Sequence, residues 1–204
     1  MTRMFLDPRQ PLSTCTAESC DGCLVARDVQ CHFRARDLVA FLFAALPCFV
    51  VGAVGIYQIG SGWLGLWVFL IFGYFGFVEI RVMCSHCPHY AERGRTLQCW
   101  ANYGAPRLWK YRPGPMSGAE RAIFESGMFV VMAYPLLFVL AGSEWFLLIL
   151  YVLTAGSFFV TLNRSFCSRC MNFACSFNGV DSKTRAEFFK RNPSIARAWR
   201  HAVK

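Results

Sequence analysis

Four long stretches without a charged side chain limit what this sequence can become. Leu38 to Gly60, Gly62 to Val78, Gly127 to Ser143 and Trp145 to Asn163 contain no Asp, Glu, Lys or Arg. Each reaches roughly 20 residues, enough for a helix rising about 1.5 Å per residue to cross the roughly 30 Å hydrocarbon core of a bilayer. A helix buried in a soluble bundle keeps a polar stripe, and these stretches have none. The whole chain agrees with this, since only 16% of its 204 residues are charged and its mean hydropathy is +0.37. The expected fold is an all-α integral membrane protein with four transmembrane helices.

Basic residues set the expected orientation. Of the 21 Lys and Arg, five precede the first stretch, seven lie from Arg81 to Arg121 and nine follow Asn163. None is left for the turns near Ser61 and Ser143. By the positive-inside rule both termini and the central loop are cytoplasmic, in a membrane of the bacterial inner-membrane type. The first ten residues are charged and carry Pro8, so they do not read as a secretory signal, and the first span itself directs insertion. The +9 net charge then faces anionic head groups at the inner leaflet. No nucleic-acid module is apparent, and nucleic acid is not an expected partner.

The two halves resemble each other. GYFGFVEIRVMCSHC from Gly73 and GSFFVTLNRSFCSRC from Gly156 share the pattern RxxCSxC, and GSGWLGL from Gly60 resembles GSEWFLL from Gly142. This predicts a repeated unit of helix, short outer turn, helix and an inner CxxC knuckle. The expected organisation is a Cys-rich inner segment (1–36), a first hairpin (37–83), an inner loop with Cys and His (84–121), a second hairpin (122–164) and an inner Cys-containing segment (165–204). The last segment ends in a basic amphipathic helix suited to anionic lipid or to a protein partner in a membrane complex. Glycines at 52, 55, 73 and 76 offer small surfaces for close helix packing.

Ten of the 11 cysteines lie outside the spans, on the side where thiols stay reduced, so metal ligation or redox chemistry is expected rather than a disulfide framework. Cys84, Cys87, Cys167 and Cys170 form two knuckles that can close one sulfur shell and fasten the hairpins together. Cys99, Cys175, His86 and His89 stand beside them as further candidate ligands. A second candidate set is Cys15, Cys20, Cys23 and Cys31, in a segment with too few apolar residues to fold by burial alone. Zinc and an iron–sulfur cluster both accept such ligands. Glu79 and Glu125, at the inner ends of two spans, are candidates to bind a cation, relay a proton or pair with a neighbouring arginine.

These features favour a membrane metalloprotein that serves as an anchor, assembly factor or electron relay for a larger complex. The competing readings are an enzyme acting on a lipid, quinone or thiol at the inner interface, and a metal transporter or sensor. No catalytic triad, phosphate loop or dinucleotide fingerprint is present to decide whether the chain is an enzyme. The outer turns hold no cysteine, unlike four-helix membrane disulfide oxidoreductases, and there is no Asp-His-His-Cys run like that of palmitoylating acyltransferases.

Overall fold

The structure, a computed structural model, describes residues 9–202. The reading of residues 1–8 as unlike a secretory signal, and of Val203 and Lys204 as the end of the last helix, falls outside the described residues. Those described are helical, apart from loops and one isolated bridge between Thr96 and Pro106.

Among the described residues, four helices are long and apolar enough to cross a membrane. Their outward side chains are the large apolar ones a bilayer would cover, among them Phe43, Phe69, Phe129 and Phe146, each at least 72% exposed. The short helix α1 (Leu24–Asp28) precedes α2 (Ala35–Ile59), which turns at the single residue Gly60 into α3 (Ser61–Gly73). The second crossing continues through a π turn over Tyr74–Val78 and the short α4 (Glu79–Val82). A long loop then leads to α5 (Gly118–Ala141), and α6 (Trp145–Thr161) returns through a π turn over Leu162–Phe166. Turns this short make each pair antiparallel neighbours.

The packing of α2 against α5 rests on two of the four glycines. A Cβ at Gly55 would collide with Val139, and one at Gly52 would lie 3.0 Å from Pro135 and 3.1 Å from Trp67. Gly73 and Gly76 face open space instead, so the expected close approach does not occur there. Pro135 also explains one polar contact in the apolar interior. Lacking an N–H, it leaves the Val131 carbonyl four residues earlier without its helical partner, and the Trp67 indole N–H donates to that carbonyl at 2.9 Å.

Beyond the spans, α7 (Ser182–Arg191) is capped by Asp181, whose carboxylate accepts from the Thr184 N–H at 2.9 Å. The last helix, α8 (Pro193–Ala202), begins on proline, a favoured first residue because its missing N–H would have no partner there. Its Ile195 and Ala196 are buried and Trp199 packs on Phe189 at 5.5 Å between ring centres. The apolar side of this helix is thus turned into the protein, and its basic residues Arg197 and Arg200 face out.

Candidate functional site: a cysteine-lined cavity

Where the second and fourth crossings end, both RxxCSxC segments take the same shape. Ser85 Oγ donates to the Arg81 carbonyl at 2.7 Å, and Ser168 Oγ donates to the Arg164 carbonyl at 2.7 Å. A 3-10 turn follows in each, Cys84–His86 and Cys167–Arg169, and the closing cysteine is extended in both. The hydroxyl of a helical serine reaches the carbonyl four residues back, so RxxCS carries its own local fold. Two π turns lie just upstream, a distortion often found at functional sites.

These knuckles and the central loop enclose a cavity of about 340 Å³. Six cysteines stand in its wall: Cys84, Cys87 and Cys99 from the first half, Cys167, Cys170 and Cys175 from the second. The remaining wall is almost wholly apolar, including Phe41, Phe75, Trp100, Phe158 and Phe177, and it contains no Lys or Arg. Several facing positions are 83 residues apart: Phe75 and Phe158, Cys84 and Cys167, Cys87 and Cys170, His89 and Asn172.

The thiols sense one another across the halves. Burial pushes Cys170 well above the ordinary thiol range, and the nearby Cys87 and Cys175 push it further. Burial also raises Cys87, aided by Cys99. Cys175 is pushed up to about 12 and Cys99 to about 11, burial being the largest cause in each. Without a cation these side chains are neutral thiols near pH 7, which suits a dry chamber.

Three asparagines absent from the sequence-based expectation of the site, Asn102, Asn172 and Asn178, also stand in the wall. The Asn102 backbone N–H donates to Cys99 Sγ at 3.2 Å, and its side-chain amide donates to Cys84 Sγ and to Glu79, each at 3.3 Å. The turn that carries Asn102 is held by Leu97 N–H to the Ala105 carbonyl (2.8 Å) and by Gly104, whose φ of +83° favours glycine. Asn172 donates to the Met83 carbonyl at 3.2 Å, but its Oδ1 is buried without a partner. His89 is more isolated. Its ring is 1% exposed, lies 4.6 Å from that of Phe33, and neither nitrogen has a partner. Burial pulls its basicity down to about 3, with His32 and Arg107 adding to the effect. The 83-residue offset that pairs the cysteines also pairs His89 with Asn172, and this was the available sequence signal for Asn172.

His86 lies outside this cavity. Its Nδ1 is 3.1 Å from the Gly114 carbonyl and its Nε2 is 3.5 Å from Glu120, which also faces Arg112 at 2.5 Å and Arg81 at 3.5 Å. Arg112 binds the first knuckle as well, donating to the Arg81 carbonyl at 2.7 Å and to Ser85 Oγ at 3.0 Å. Arg81 therefore pairs with Glu120, while Glu79 is buried in the cavity wall and Glu125 is exposed.

Cys15, Cys20, Cys23 and Cys31 form a separate group outside the cavity. Burial pushes Cys31 up to about 12, and Cys23, Cys20 and Cys15 add to it in that order. The segment is pinned to the second half: Gln30 N–H donates to the Arg169 carbonyl at 2.8 Å, and Thr16 N–H to the Arg191 carbonyl at 2.9 Å. Cys15, Cys23 and Cys31 pack on a core that contains Val29, Met171 and Cys87, so Cys87 touches both groups' surroundings.

Among the described residues, no three His, Cys, Asp or Glu side chains gather tightly enough to hold a single metal ion. Comparison with protein-family models, curated proteins and solved structures gives no match. Fold and site together define, among the described residues, an all-helical bundle with four helices long and apolar enough to cross a membrane and a cysteine-walled chamber at one end.

Proposed function

We propose that this chain is a membrane metalloprotein that carries electrons, with an iron–sulfur cluster held by thiols of the six-cysteine cavity. The observation that carries this reading is the placement of the thiols around a chamber, not around a point. A zinc ion needs four sulfurs at about 2.3 Å from one centre. A cluster binds each thiolate to a different iron, so its ligands stand further apart around a larger volume. The donor set fits: soft sulfur ligands from both halves, a dry apolar surround, and N–H groups of Asn102 aimed at two of the sulfurs. Such second-shell donors and the exclusion of water tune reduction potentials.

The N-terminal group, Cys15, Cys20, Cys23 and Cys31, supplies a second centre, next to the first across Val29, Cys87 and Met171. Two neighbouring centres at the end of a membrane bundle form a relay. The two hairpins are duplicated units, and the ten cysteines outside the spans lie on the cytoplasmic side, in line with the placement of every basic residue. Such a relay acts within a larger membrane complex, facing anionic lipid.

Cysteine replacement tests the shared centre. Cys84→Ser and Cys167→Ser are made singly and together, and iron and acid-labile sulfide are measured in each anaerobically purified protein. A shared cluster makes either single change nearly as damaging as the pair. Independent losses that add would contradict it. Stoichiometric zinc in the unaltered protein would replace the relay with a structural anchor.

A further inference from the structure

The cavity wall is not made of thiols alone, and at α2 it includes residues of the outer surface of the bundle. Two of its wall residues on α2, Leu42 and Leu46, are 49% and 60% exposed on the helix surface that lipid would cover, and Ile71 and Phe75 of the second crossing stand in the same wall. Most of the wall is carbon surface, but among the described residues two of its buried side chains have polar atoms without partners. These are both ring nitrogens of His89 and the Oδ1 of Asn172. Leaving a buried polar group without a partner is costly, so each marks a place where a ligand atom belongs. We propose that the cavity binds a lipophilic quinone that enters from the bilayer between α2 and the second crossing.

The chemistry of the wall selects that occupant. A phospholipid head would bring a phosphate, yet no Lys or Arg lines the cavity to pair with it. A fatty acid is disfavoured for the same reason. A quinone head is uncharged, flat and tipped with oxygens. Its carbonyl accepts from a His89 ring N–H, and the hydroxyl of its reduced form donates to Asn172 Oδ1, while aromatic walls at Phe41 and Trp100 suit its ring. An alkyl tail then fills the lane to Leu42 and Leu46. The inference builds on the electron-relay reading only in giving the quinone a redox centre as neighbour.

Binding is measured on the full chain in nanodiscs by saturable quenching of tryptophan emission with 2-decyl-1,4-benzoquinone, Trp100 being in the wall. Leu42→Phe with Leu46→Phe narrows the mouth on a lipid-facing surface that tolerates bulk. The control is Val50→Phe with Val54→Phe, also exposed on α2 but outside the cavity wall. The mouth variant should weaken binding roughly tenfold, equivalent to about 1.4 kcal/mol, with iron content unchanged, and the control should bind as the unaltered protein does. Asn172→Leu should weaken binding of the hydroquinone more than that of the quinone.

Three results would overturn the quinone site: no saturable quenching in iron-loaded protein, equal loss in the control, or displacement by phosphatidylglycerol at matching concentration. Saturable binding to a protein that carries no iron would sustain the quinone site while removing the relay reading.

Discussion

At the scale of single residues, the polar atoms in the apolar interior decide most. Trp67 serves a carbonyl that Pro135 has left without its helical N–H, and in hydrocarbon there is no water to take its place. Trp67→Phe should therefore destabilise the protein in detergent by about 1–3 kcal/mol. Adding Pro135→Ala to that variant should recover part of the loss, since an alanine carries the backbone N–H that the Val131 carbonyl lacks. Equal unfolding midpoints for Trp67→Phe and the unaltered protein would refute the pairing. Asn102 acts on sulfur. Its side-chain amide donates to Cys84 Sγ, and a donor to a ligating sulfur stabilises the more negative, reduced cluster. Asn102→Ala should lower the reduction potential of the centre in a redox titration while iron content stays the same.

At the scale of elements, the sequence made the spans plain and the site only in part. Charge-free runs locate all four long helices because lipid tolerates few charges over that length. The two RxxCSxC segments were also legible, since the motif's own serine shapes each turn. What stayed hidden depends on the long central loop. Nothing in Cys-Trp-Ala-Asn tells that Asn102 folds back onto Cys84, or that His86 turns to Glu120 while His89, three residues on, turns inward. The glycines divide for a similar reason, as spacing along one helix does not say which neighbour covers which face. Gly55→Ala should cost about 1–3 kcal/mol by forcing α2 from Val139. Gly73→Ala, facing open space, should be neutral or stabilise by up to about 1 kcal/mol through helix propensity. Matching unfolding curves for the two variants would contradict the packing described.

At the scale of the whole molecule, the short turns lie at one end of the bundle and the cysteines at the other, except Cys48 within α2. Ser61→Cys and Glu144→Cys should each make intact cells reactive to a membrane-impermeant thiol reagent that leaves the unaltered protein unlabelled. Labelling of the unaltered chain would reverse the orientation proposed from its basic residues. Six thiols from the two halves line one apolar chamber, and the proposed centre would join the halves there. Iron and acid-labile sulfide, assayed on protein purified without oxygen, test that claim most directly. The account predicts brown protein in which both are present in stoichiometric amounts and bleach together on exposure to air. Colourless protein with zinc alone, or with no metal and all cavity thiols free to alkylate on unfolding, would contradict it.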